Sequence, residues 1–176
     1  MYHPCDPRAW FAMLVYKNGS LTREAVRDRR AGGSWDRFSG LLAGGEPGNR
    51  GRLGLFLDLF EITPQINRQG SFFVDGNDRL ISELSPEEEA RAVVEGRFLS
   101  MRAHAKELGV GRPSRILATG GGSKNPEALL ADVFQAPVFT AAASDSAAIG
   151  AALRAKHGME CRTRGVPYVS FREIYG

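Results

Sequence analysis

Cysteine is scarce in this chain of 176 residues: there are two, Cys5 and Cys161. They stand at opposite ends and in no metal or redox spacing, which argues against a disulfide framework and for a reducing compartment. Long apolar runs are missing as well. No stretch approaches the roughly 18 residues of a membrane helix, and the first residues lack the charged-then-apolar order of a secretion signal. A cytoplasmic protein without a membrane partner is the expectation. There is also little excess of either charge: 23 Lys and Arg face 20 Asp and Glu, a net +3. Only Arg27, Arg29 and Arg30 cluster, which reads as a solvated helix end. No aromatic-interleaved basic stripe supports a nucleic-acid partner.

What is present suits one globular domain with a substantial core, since 43% of the residues are hydrophobic and 24% charged. The chain is organised around residues 115–126. Arg115-Ile116-Leu117-Ala118-Thr119 reads as a short buried strand. Gly120, Gly121 and Gly122 stop it, and Asn125 before Pro126 signals a helix start. A strand, a glycine loop and a helix N-terminus together present backbone N–H groups to an anion. The same stretch would serve as a tight turn with no ligand, and its residues alone leave both readings open.

Before that point, residues 10–16 form a nearly continuous apolar run that reads as a buried strand in need of neighbours on its edges. A helix starting at Ser20 or Thr22 should end at Gly32-Gly33. Ser34 should cap a second helix whose stripe is Trp35, Phe38, Leu41 and Leu42. On these residues alone Trp35 is a core side chain. Residues 53–59 read as another buried strand, with Asp58 and Glu61 as turn or cap residues, not an acid pair. A hairpin-like excursion follows around Ser71-Phe72-Phe73-Val74. Ser85-Pro86-Glu87-Glu88 is a capping box for a helix reaching about Leu108. His104 has no second ligand at metal spacing and reads as structural or exposed. Strand 137–140 and a helix over 146–157 complete a helix–strand alternation that predicts a parallel α/β sheet, with ligands at the carboxyl ends of its strands. The small residues of that last helix predict close packing on a neighbouring backbone.

The sequence resembles the carboxy-terminal half of the FGGY family of carbohydrate kinases, and within it the members that act on D-xylulose. The resemblance rests on Tyr16-Lys17-Asn18-Gly19-Ser20, Leu21-Thr22-Arg23-Glu24, Ser34-Trp35, Asp58 with Glu61-Ile62-Thr63-Pro64, residues 116–125, Leu130-Ala131-Asp132-Val133-Phe134 and residues 146–152. It covers residues 1–158, leaving 159–176 as a tail to which no element is assigned. It implies an α/β domain of the actin-like, ribonuclease-H-like ATPase fold, the second of two that close around a cleft. In such kinases the first domain holds mainly the sugar and the second mainly ATP.

The implied nucleotide-binding residues are Gly120, Gly121, Gly122, Asn125 and Trp35, with Gly121 and Gly122 near the phosphates, Asn125 toward ribose and adenine, and Trp35 as a wall of the adenine pocket. ATP and Mg²⁺ are the implied cofactors, ATP or ADP the implied partner, and D-xylulose a partner only together with the first domain. That domain, with the aspartate that acts as general base, has no counterpart in these residues. Asp58 does not match it, so no catalytic residue and no metal ligand is assigned. The implied function is the ATP-binding half of a kinase that converts D-xylulose to D-xylulose 5-phosphate. The alternatives are a kinase half for another sugar or polyol, and a non-catalytic nucleotide-binding or dimerisation module, a homodimer included.

Overall fold

Three helices with strong local stop and start signals build the frame. The computed structural model describes residues 1, 3, 8–119, 127–140 and 145–167. Helix α1, Ser20–Ala31, ends at Gly32, whose φ of 58° is left-handed and whose N–H reaches the Arg27 carbonyl, a position glycine fills without strain. Helix α2, Trp35–Gly44, begins where the Ser34 hydroxyl accepts from the Arg37 N–H. Helix α3, Pro86–Glu107, carries the expected capping box, with Ser85 and Glu88 each accepting the other's backbone N–H.

The first half of α3 is buried on every side, from Glu89 to Glu95, because α1, α2 and the first strand all pack against it. Val26, Phe38, Leu42, Phe56, Phe73, Val93, Val94 and Leu129 belong to the resulting core. Charged residues lie within this layer. Glu89 is only 1% exposed and meets Arg29 and Arg30 from α1. The two arginines stand in the last turn of α1 with Arg29 exposed, as expected, but they also serve Glu89: a buried carboxylate is tolerated only with opposite charge and hydrogen bonds around it. Arg91 and Glu95 pair within α3 in the same layer.

Strands β1, Leu53–Leu57, β4, Gly70–Val74, and β5, Leu80–Ile81, form an antiparallel sheet in the order β1-β4-β5. The predicted hairpin is the β4–β5 pair, and the Asp75 carboxylate accepts the N–H groups of Asn77 and Arg79 at its turn. Two short strands, β2, Glu61–Ile62, and β3, Gln65–Ile66, pair between them. β1 is shorter than expected, and its burial rises along its length to Phe56 and Leu57. Leu53 and Leu55 are exposed, whereas Phe56 is buried. β1 and α3 approach closely: a Cβ on Gly54 would lie 3.1 Å from the Ala92 Cβ, and one on Gly96 only 3.2 Å from the Gly54 carbonyl oxygen.

Farther along, β6, Ile116–Ala118, and β7, Val138–Thr140, are parallel and joined through helix α4, Glu127–Phe134. This is the predicted crossover unit, but β6 is not a buried strand, since Leu117 is 69% exposed. Helix α5, Ser146–Arg164, runs past residue 158 to a left-handed Gly165, so the first part of the expected tail is helix. The close packing predicted for its small face is not made among the described residues: Ala147, Ala148, Ala151 and Ala152 are exposed, and a Cβ on Gly150 would meet nothing within 4 Å.

The largest departure is at residues 11–16, which form no strand; Trp10 makes an isolated bridge, and Trp10 and Met13 are 67% and 64% exposed. A strand exists only through a neighbour that takes its backbone hydrogen bonds; Phe11 exchanges such bonds with Met1, but residues 12–16 join no ladder among the described residues. No described helix is long and apolar enough to cross a membrane.

Candidate functional site

Trp35 sits at the first position of α2, immediately after the Ser34 cap, where the chain turns out of α1. That corner leaves the indole 42% exposed, so it is not the core residue that its helical spacing suggests. Its surroundings are aromatic and cationic. The Phe38 ring meets it edge-on at 86° with centroids 5.7 Å apart. From α1, the guanidinium carbons of Arg27 and Arg23 lie 4.4 and 5.4 Å from the indole centroid, within the range of cation–π attraction. Arg27 is itself held by the Asp28 carboxylate at 2.6 Å. Burial draws the Arg23 guanidinium below its ordinary pKa while the nearby Glu24 charge raises it, and an arginine stays protonated under such opposing pulls. The corner thus offers a flat, half-exposed apolar ring beside fixed positive charge.

The other predicted contacts, Gly120, Gly121, Gly122 and Asn125, lie outside the described residues, and nothing places them relative to Trp35. The described flanks are β6, which ends at Ala118, and α4, which starts at Glu127. The connection between them therefore leaves the carboxyl end of a parallel strand, the end at which α/β sheets bind ligands.

A second polar cluster was missed by the sequence reading. Glu61, 3% exposed, accepts the backbone N–H groups of Lys17, Asn18 and Ile62 and the Asn18 side-chain amide. Asn18 also donates to the Leu59 carbonyl and accepts the Leu59 N–H. Burial alone would raise the Glu61 pKa, but these hydrogen bonds outweigh it and lower it to about 2. Arg97 of α3 completes the cluster, donating to the Asn18 carbonyl and lying 3.4 Å from the Glu61 carboxylate. Through these contacts Glu61 ties Lys17, Asn18 and residues 59–62 to α3. Forty-three residues separate Asn18 from Glu61, a distance over which no local pattern signals a contact.

His104 belongs to the same strap, with its Nδ1 2.9 Å from the Tyr16 hydroxyl, and is structural as expected. Asp58 is exposed, and its backbone carbonyl accepts from Gln69. His157 and Cys161, one turn apart on α5, are both buried with Sγ 3.8 Å from Nε2. Among the described residues no group of three or more His, Cys, Asp or Glu is arranged to hold a metal ion.

Residues 59–159 match the model of the FGGY family of carbohydrate kinases, C-terminal domain. The chain belongs to this family. Over 98% of its length this FGGY chain is 43% identical to a xylulose kinase of Rattus norvegicus and covers 32% of that protein. It is 41% identical, again over 98% of its length, to xylulose kinase 2 of Arabidopsis thaliana, of which it covers 33%. The crystal structure of xylulose kinase from Bifidobacterium adolescentis is similar with a TM-score of 0.58 and 28% identity, over 73% of this chain and 25% of that one. The FGGY chain thus spans about a third of the length of the curated relatives it matches. Its fold is that of an α/β sugar kinase, as the sequence motifs implied, and both the matched region and the relatives' coverage include the glycine stretch 120–122.

Proposed function

We propose that this chain is the ATP-binding part of a kinase that phosphorylates D-xylulose to D-xylulose 5-phosphate. The observation that carries the reading is the 43% identity to a xylulose kinase over 98% of the chain. The residues fit the donor side of the reaction. Glycine amides and a helix N-terminus suit phosphates, and the exposed indole of Trp35 suits a base. In the transfer, the sugar hydroxyl oxygen bonds to the γ-phosphorus as the bond to the β-phosphate oxygen breaks, ADP leaves, and the hydroxyl proton passes to a base. Bound ATP supplies the phosphoryl group, and Mg²⁺ would be held through its phosphate oxygens. This chain's residues are assigned to binding and orienting the donor, with Gly121 and Gly122 at the phosphates, Asn125 at the ribose and adenine, and Trp35 at the base. None is assigned to the proton.

The test has two arms. Calorimetric titration should give micromolar-to-millimolar ADP affinity, because part of a pocket leaves the nucleotide partly solvated. Gly121→Val should weaken it by about tenfold or more, since a branched side chain obstructs backbone approach to phosphate. Unchanged affinity in that variant removes the glycine cradle. In a coupled assay with D-xylulose, ATP and Mg²⁺, the chain alone should give no turnover, and addition of the amino-terminal part of a relative such as the rat enzyme should restore some. Turnover by the chain alone above a heat-killed control would mean that its own residues include an acceptor site and a base.

A further inference from the structure

The corner between α1 and α2 has more organisation than an adenine wall requires. An indole at the first position of a helix, 42% exposed, has rotational freedom about its side-chain torsions unless something holds it. Here two arginines one turn apart on α1, Arg23 and Arg27, direct their guanidinium groups at the same ring, and the nearer, Arg27, is also paired with Asp28. Its Nε and terminal nitrogen both reach the same Asp28 oxygen, at 2.7 and 2.6 Å. Phe38, buried in the core, supplies an edge contact that sets the ring plane. The order of contacts is therefore Asp28 to Arg27, Arg27 to Trp35, Phe38 to Trp35, with the remainder of the indole left to solvent.

We infer that Arg27 is a positioning residue for nucleotide binding, holding the Trp35 indole in the orientation in which its exposed surface stacks on the base. This rests on the reading of Trp35 as the adenine wall. The guanidinium acts through the ring and does not touch the nucleotide. It removes rotamer freedom before binding, so that a base does not have to order the indole itself. Because cation–π pairs at such sites are modest in strength, the expected effect of Arg27→Ala on ADP affinity is a weakening of about three- to fivefold.

The experiment is a double-mutant cycle on the full chain, read by calorimetric titration with ADP, with thermal melts to establish that each variant is folded. Arg27→Ala should weaken ADP binding when Trp35 is present and should have no further effect in a Trp35→Ala background, since a residue acting through the ring is silent without it. Arg27→Lys, which keeps the charge but not the planar group, should recover part of the loss. Trp35 emission, read in a Trp10→Phe background because these are the two tryptophans of the chain, should become more accessible to acrylamide in Arg27→Ala. An equal loss in both backgrounds overturns the inference, because Arg27 would then act elsewhere. If Trp35→Ala weakens ADP and Arg27→Ala does not, the inference fails alone; if Trp35→Ala leaves ADP unaffected, the adenine wall and the inference fail together. Should Arg27→Ala not fold, Arg27→Gln takes its place in the same cycle with the same outcomes.

Discussion

Glu61 carries a share of the acid response of this domain that can be traced to one side chain. Its folded pKa is held at about 2 against an ordinary 4.5, so the folded state favours the ionised form. A depressed carboxylate contributes stability that is complete above pH 4.5 and is lost as the pH falls toward 2, an interval corresponding to about 3 kcal/mol for a shift of this size. Chemical denaturation across that window should show a steep loss of stability, and Glu61→Gln should flatten it. The variant should also be less stable at neutral pH by about 1–3 kcal/mol, because its amide brings N–H donors against N–H donors that need an acceptor. An unchanged slope in the variant would place the acid sensitivity in other carboxylates. Trp35 carries the complementary lesson, since its helical spacing pointed inward and its place at the head of α2 turned it outward. The family motif, and not the periodicity, marks it as a candidate.

Among the elements, two glycines in helices should respond in opposite directions. Gly96 faces the Gly54 carbonyl so closely that an added Cβ would lie 3.2 Å from it, whereas Gly150 on α5 has nothing within 4 Å. Gly96→Val should lower stability by about 1–3 kcal/mol through overpacking of β1 on α3. Gly150→Ala should raise it by about 0.5–1 kcal/mol through helix propensity. Thermal melts of the two variants decide the matter, and a stable Gly96→Val would show that β1 can move away from α3. The helices were legible in the sequence because a helix satisfies its own hydrogen bonds and its ends are written locally, at Gly32, Ser34 and Ser85. The expected helix over 146–157 falls seven residues short of α5, which runs through Gly158 to Arg164. The strands were legible only as apolar runs. Whether such a run becomes a ladder depends on partners elsewhere in the chain, which β1 finds in β4, whereas for residues 11–16 the described residues supply a Met1–Phe11 pairing and no ladder.

At the scale of the molecule, two of the places where the described residues leave apolar surface open stand out. One is the segment with Trp10, Met13 and Val15, and the other is the β6–β7 pair with Leu117 and Phe139. Large exposed side chains grouped in this way favour association. Sedimentation of the isolated chain should therefore depend on concentration. The combined change Trp10→Ser, Met13→Ser and Val15→Thr should reduce that dependence without lowering the melting temperature, because these side chains are exposed. Association unaffected by the triple change would move the contact to another surface.

The strap around Glu61 has a different consequence for how the chain comes apart. It gathers the N–H groups of Lys17, Asn18 and Ile62 onto one carboxylate that also reaches Arg97. Fraying of the amino-terminal segment must therefore stop at Lys17 unless the whole cluster opens. In deuterium exchange those three amides would behave as one cooperative unit with α3.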